Sequence, residues 1–233
     1  MSMRIQKYLS QTGVLSRRKA EEFLKKGWIL INGTPVTTPG TRFNPETDTL
    51  TFSPEAQQAM QAYTLLAFHK PKGIVTNCKQ AGEREIIDLL PQHYQHLHAI
   101  GRLDKASEGL ILLTDDGTIA NYFLNNSSPH ARIYRVVAAH PLSKEHVRQL
   151  ESGVDIGHYI TKPCRICQRS ARHIDIELTE GKNRQIRRML EAVCNRVHRL
   201  TRVQFGDILL GDLKPGNYRI LTDYAIPVQN KQQ

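Results

Sequence analysis

The sequence predicts an α+β protein in two parts, a small N-terminal unit followed by a larger mixed domain. Three observations carry this reading. Strand-like and helix-like segments follow one another without a βαβ period. The run at 53–63, SPEAQQAMQAY, has no aromatic or β-branched residue before Tyr63 and reads as a linker. The length, 233 residues, accommodates one medium domain and a small one at ~100–200 residues per domain. The expected division is 1–52, a linker at 53–63, and a main domain at 64–233.

Ile5, Tyr8 and Leu9 recur at helical spacing. Ser16 is an N-cap for a second helix with Ala20, Phe23 and Leu24 on one face, and Gly27 fits its stop. WILI then runs into Asn32-Gly33, the strongest short hairpin signal, and Thr49–Phe52 alternates like a strand. After the linker, LLAFHK and the IVT beyond Pro71-Lys72-Gly73 suggest a hairpin, and EIIDLL a short helix. LILLT reads as a buried strand closed by Asp115-Asp116-Gly117, IYRVVAA as another, and HIDIEL as a third, with Ile174, Ile176 and Leu178 on one face. Between Asn183 and Cys194, Ile186, Met189, Leu190 and Val193 fall on one side of a helix at ~100° per residue, and Arg184, Arg187 and Arg188 on the other.

Composition narrows the function. Lys and Arg number 32 against 22 Asp and Glu, a net charge of +10. Such an excess favours a polyanion, nucleic acid before an anionic membrane. The excess is also clustered: residues 178–204 carry seven Lys/Arg and two acids. No apolar run exceeds four residues, which excludes a ~20-residue membrane helix, and the first ten residues lack the apolar core of a secretory signal. Four cysteines do not make a disulfide framework, so a cytoplasmic chain with reduced thiols is expected.

The run most suggestive of chemistry is Gly101-Arg102-Leu103-Asp104-Lys105-Ala106-Ser107-Glu108-Gly109-Leu110, leading directly into a strand. A carboxylate between two cations in a glycine-bounded loop is held ionised. An ionised, positioned Asp can serve as nucleophile or general base. Taken alone, such an Asp is as readily a loop residue paired with its neighbours, and an arginine-bearing helix face a solubility feature.

The order of the motifs decides between these readings. G-R-L-D-x-x-S-E-G-L-x-L-L-T-x-D-G resembles the catalytic motif of the RsuA-type ribosomal RNA pseudouridine synthases. His69-Lys70-Pro71-Lys72-Gly73 resembles that family's entry hairpin, RIYRV its tyrosine motif, and Glu180–Met189 its E-G-x-x-x-Q-(I/V)-(R/K)-R-M motif. The N-terminal unit resembles an S4 RNA-binding domain through Ser16-Arg17-Arg18 and Ile31-Asn32-Gly33. The resemblance spans residues 3–222. It implies an S4-like α/β unit before a mixed, mainly antiparallel sheet, and it implies roles. Asp104 would act on the target uridine, Arg187 would pair with Asp104, Tyr134 would pack on the uracil face, and Arg102 would help extrude the base. RNA contacts would come from Arg17, Arg18, Lys19, Lys70, Lys72, Lys182, Arg184 and Arg188. The chemistry it implies breaks the C1′–N1 bond, turns the uracil and rejoins it through C5, without metal or other cofactor.

Other features are weaker. Cys164 and Cys167 form a CxxC without the second ligand pair that zinc needs. His93, His96 and His98 read as surface or RNA-facing residues. A glycosidase would need two carboxylates flanking its substrate, and only Asp104 carries a motif. A noncatalytic RNA-binding or ribosome-assembly factor on the same fold is the alternative, against which stand Asp104, Tyr134 and Arg187, all retained. The expected substrate is ribosomal RNA, large-subunit before small, with transfer RNA left open, and the expected state is a monomer off the membrane.

Overall fold

The computed structural model describes residues 2–61, 63–125, 130–222 and 224. They fall into two compact units, one of residues 2–61, 63–65, 114–122, 222 and 224, the other of residues 66–113, 123–125 and 130–221.

The first unit opens with β1 (Met3–Arg4) and α1 (Ile5–Gln11), then α2 (Arg17–Lys25). The Ser16 side chain accepts from the Lys19 N–H at 3.3 Å, the expected N-cap. Strands β2 (Ile29–Ile31) and β3 (Thr34–Val36) form the hairpin, with Asn32 and Gly33 at φ 50° and 79° as a two-residue turn of this type requires. β4 (Arg42–Phe43) pairs with β1, and β5 (Leu50–Phe52) with β2. Ile5, Leu9, Phe23, Leu24 and Ile29 are buried together, each worth roughly 1.5–3 kcal/mol of transfer free energy.

The stretch expected to be a linker is instead largely helical. α3 (Pro54–Gln61) follows Ser53, whose hydroxyl accepts from the Ala56 N–H at 3.2 Å. Ala56 is fully buried in the N-terminal core, and Ala59 and Met60 pack against it. The absence of β-branched residues, which suggests a linker, is equally the composition of a helix, since Ala, Glu, Gln and Met are strong helix formers.

The second part of the chain supplies a large sheet. Its elements are β6 (Leu65–Lys70), β7 (His98–Ile100), β8 (Glu108–Thr114), α4 (Gly117–Leu124), β9 (Arg132–Ala138), α5 (Lys144–Ser152), β10 (Arg165–Gln168), β11 (His173–Leu178), α6 (Gln185–Ala192), β12 (Val197–Phe205), β13 (Ile208–Leu209) and β14 (Tyr218–Ile220). Among the described residues the order is β10-β11-β9-β12-β8-β6-β14, with β13 on β12 and β7 on β8. The pairings are mainly antiparallel, with β12 and β8 parallel. EIIDLL contains a 3-10 turn at Ile86–Leu89.

One expected pairing does not form. β6 does not fold back onto the IVT segment. It pairs with β14, Phe68 opposite Tyr218, and Val75 bridges Glu85 instead. Every residue of β6 is buried, so its place is in the interior of the sheet, where a pairing with distant strands covers both of its edges.

Gly109 marks the closest approach within the sheet. Its φ is +109°, and a Cβ there would lie 2.3 Å from the Arg202 carbonyl oxygen and 2.5 Å from the Arg202 nitrogen. β12 therefore comes against β8 only because this side chain is absent. Gly109→Ala should cost ~3 kcal/mol, from a strained backbone and forced separation of the strands. Urea unfolding measures it, and an unchanged midpoint would contradict the close approach.

Candidate active site

Asp104 lies in the loop between β7 and β8, half-buried, and three sets of bonds fix that loop. The Ser107 N–H donates to the Asp104 carbonyl at 2.9 Å, closing a turn. The Thr76 hydroxyl donates to the Leu103 carbonyl at 2.7 Å and accepts from the Leu103 N–H at 3.0 Å. The Gly73 N–H donates to the Lys105 carbonyl at 2.7 Å. The HKPKG segment thus buttresses the Asp104 loop from one side. The Lys105 ammonium is spent on Glu83, 2.7 Å away, rather than on Asp104.

α6 buttresses the loop from the other side. Ile186, Met189 and Leu190 bury one face of the helix against β9, β11 and β12, as their spacing predicts. Arg187 is turned toward the loop, and its Nη2 donates to the Ala106 carbonyl at 2.9 Å and to the Ser107 hydroxyl at 3.2 Å. The expected direct pair with Asp104 is therefore replaced by bonds to the loop that carries Asp104. Burial and the neighbouring Arg184 lower the Arg187 pKa, while the Asp104 charge raises it. Arg187 still feels Asp104 through space.

A cavity of about 330 Å³ opens here, lined by Arg102, Asp104, Ser107, Tyr134, Glu180 and Arg187, with Lys182 and Arg184 also at its wall. Tyr134, from β9, packs against both apolar clusters that meet beneath it. Leu178 and Leu200 give the cavity an apolar side. Asp104, Arg187, Tyr134 and Arg102 are thus brought to one place.

The residues expected to touch RNA divide. Arg17, Arg18, Lys72, Lys182 and Arg184 are exposed, and Arg188 is half-exposed. Lys182 rests over the Tyr159 ring at 4.1 Å, and an Arg188 nitrogen is 3.3 Å from the His158 ring. Lys19 is instead tied to Asp116 at 2.7 Å, with both side chains largely buried. Lys70 must be removed from the RNA-facing set because it is fully buried, with its Nζ donating to the Pro71 carbonyl at 3.0 Å and to that of Ile74. It sits inside because β6 is an interior strand.

Burial pushes the Lys70 ammonium down to about 8, against the attraction of Asp104 and Glu108. The unfolded chain holds this proton until ~10.4, so between these values it binds more protons than the native state. Stability contributed by Lys70 should therefore rise with pH from about 8 toward 10, by up to ~1.4 kcal/mol per pH unit. Unfolding free energies of wild type and Lys70→Met should diverge across that window. A constant difference would contradict the buried, depressed ammonium.

Two networks give motif carboxylates structural partners that the motifs do not specify. Glu180 accepts from the Tyr159 hydroxyl at 2.7 Å, the Lys162 N–H at 3.1 Å and Gln185 Nε2 at 2.8 Å, while Gln185 Oε1 accepts from the Lys182 N–H at 2.9 Å. These bonds shape the cavity rim. Glu108 is buried and accepts from Arg199 and from the Thr201 hydroxyl. Burial raises its pKa, but the Arg199 and Thr201 bonds outweigh burial, so it lies below the ordinary value. Glu108 is thus committed to β12 and absent from the cavity wall, and Glu180, the carboxylate that lines the cavity with Asp104, is taken up by Tyr159, Lys162 and Gln185.

Among the described residues no group of three or more His, Cys, Asp or Glu is placed to hold a metal ion. The Cys164 thiol donates to the Leu150 carbonyl, and burial pushes its pKa up to about 11, which disfavours the thiolate a metal would require. No described helix is long and apolar enough to cross a membrane.

Asp104, Arg187 and Tyr134, the residues the motifs single out, thus share one cavity with Arg102. The chain belongs to the RNA pseudouridylate synthase family, which it matches over residues 64–192, and residues 3–48 match the S4 domain. It is 34% identical over 224 residues to the dual-specificity RNA pseudouridine synthase RluF of Escherichia coli (strain K12), covering 95% of this chain and 76% of that one. It is 31% identical to the ribosomal large subunit pseudouridine synthase B of Bacillus subtilis (strain 168), over 96% of this chain and 93% of that one. A crystal structure of a pseudouridylate synthase superposes with a TM-score of 0.68 at 26% identity, covering 94% of this chain and 96% of the other.

Proposed function

We propose that this chain isomerises one uridine of ribosomal RNA, in the large subunit, with Asp104 as the catalytic residue. The observation that carries this is the convergence of Asp104, Tyr134, Arg102 and Arg187 on one polar-rimmed cavity. The volume, about 330 Å³, is at the small end of ligand pockets and suits a single extruded nucleotide better than a base pair. Extrusion from a duplex costs a few kcal/mol, offset by stacking on Tyr134 and by Arg102 at the vacated position.

The reaction needs little else. The C1′–N1 bond breaks, the uracil turns, C5 bonds to C1′, the C5 proton leaves and N1 gains one. The Asp104 carboxylate acts on the nucleotide while Arg187 keeps its loop in place. Two relatives whose names specify ribosomal large-subunit or dual RNA specificity support the choice of RNA. Pseudouridine mapping of ribosomal and transfer RNA from cells lacking the gene tests it. Loss of a large-subunit site is expected, and an unchanged map refutes the assignment.

The S4 unit supplies affinity rather than chemistry. Arg17 and Arg18 are exposed in the first turn of α2, where helix N–H groups also favour phosphate. Arg17→Glu with Arg18→Glu should weaken binding to structured RNA. For every phosphate no longer neutralised, the slope of log K against log salt should flatten by ~0.7–0.9, while turnover of bound RNA should persist. Unchanged affinity and slope would remove these two residues from the interface.

A further inference from the structure

Arg132 stands out as a cation with no counterion among the described residues. It is half-buried on β9, two residues from Tyr134 and so on the same face of the strand. Its guanidinium carbon lies 4.9 Å from the centre of the Phe205 ring, and that of Arg202 lies 5.0 Å from the same centre. Arg202 is 2% exposed; its Nε donates to the Leu110 carbonyl at 2.6 Å, and its Nη2 has no hydrogen-bond partner among the described residues.

Neither arginine has a carboxylate within ion-pair range among the described residues, whereas Arg135, Arg169 and Arg199 elsewhere on the large sheet each do. Burial lowers the Arg132 pKa, the nearby Tyr134 phenol raises it, and Arg202 lowers it again. An arginine stays charged in such a place, so two like charges share one aromatic ring uncompensated. That arrangement is costly unless an anion completes it.

The location says which anion. Arg132 Nη1 lies 3.7 Å from where a Cβ on Gly181 would stand, and Gly181 lines the same cavity as Asp104 and Tyr134. The guanidinium therefore borders the cavity wall. Stacking on Phe205 restrains it in advance, so little side-chain entropy is lost when its N–H groups bind.

We infer that Arg132, backed by Arg202, is a binding site for a phosphodiester of the RNA adjoining the extruded uridine. This rests on the cavity holding that uridine. Arg132 is then a positioning residue, separate from the groups that act on the base.

The test is a cycle between protein and RNA charge. Wild-type protein and Arg132→Gln, with Arg132→Lys as the conservative variant, are titrated with substrate RNAs bearing one neutral methylphosphonate at each linkage near the target. Circular dichroism monitors folding. For wild type, neutralising a linkage next to the target uridine should weaken binding roughly tenfold, the worth of a charge-assisted hydrogen bond. For Arg132→Gln that further loss should vanish, and Arg132→Lys should restore part of it. Equal losses in wild type and Arg132→Gln at every linkage overturn the inference while leaving the uridine cavity intact. Coupling found only at a linkage remote from the target overturns the cavity placement, and with it the phosphate site.

Discussion

Asp104→Asn is expected to abolish pseudouridine formation while leaving fold and RNA affinity nearly intact. The exchange keeps the shape of the side chain and removes only its charge and basicity. The loop is held through backbone and neighbouring groups that the exchange does not touch: the Thr76 hydroxyl on Leu103, Gly73 on Lys105 and Arg187 on Ala106. Thermal unfolding should therefore move little. No other carboxylate can take over. Glu108 is tied to Arg199 and Thr201, and Glu180 to Tyr159 and Gln185. Turnover should fall at least ~10⁴-fold, as when a group that acts directly on the substrate is lost. Asp104→Glu is a sharper probe, since it retains the charge but displaces it by about one methylene. A misplacement of ~1 Å costs ~10²-fold in a well-oriented site, so this variant should be slow but active. Single-turnover assays on target RNA, with filter binding alongside, measure both. Wild-type rates in Asp104→Asn would assign the chemistry to another group.

What the sequence makes legible is local. The Asn32-Gly33 turn, the cap at Ser16 and the apolar stripe of α6 are set by residues within a few positions of one another, and each forms where periodicity and turn chemistry place it. The order of strands is not local. β6 borders β8 and β14, the latter separated from it by some 150 residues of chain, and nothing in LLAFHK specifies that neighbour. Lys70, placed among the RNA contacts by the family resemblance, is buried for this reason, because the strand that carries it is interior. The candidate site follows the same division. The motifs bring Asp104, Tyr134, Arg102 and Arg187 forward as residues, but the way Arg187 grips the loop backbone is a product of the tertiary fold. Arg132 lies in the RIYRV motif, but its isolation from carboxylates is a property of its surroundings and is not legible there.

Arg187→Ala should cost catalysis far more than stability. The helix that bears it is anchored by Ile186, Met189 and Leu190, none of which depends on the guanidinium. Its removal opens the Ala106 carbonyl to water, which can replace the lost donor, so destabilisation should stay within ~1–2 kcal/mol. The catalytic loss has two sources. The loop loses its clamp on the α6 side, and the site loses the Arg187 charge that interacts with Asp104 through space. A preorganised cation of this kind is worth ~10²–10³-fold in kcat. Arg187→Lys separates the sources. An ammonium restores charge but cannot reach the Ala106 carbonyl and the Ser107 hydroxyl with the spread of a guanidinium fork. If the clamp dominates, Arg187→Lys should resemble Arg187→Ala. If charge dominates, it should recover most of the rate. In both cases KM for RNA should change much less than kcat, because Arg187 faces the loop rather than solvent. A variant whose KM rises while kcat holds would instead make Arg187 an RNA-binding residue and would leave the Asp104 loop supported by the HKPKG side alone.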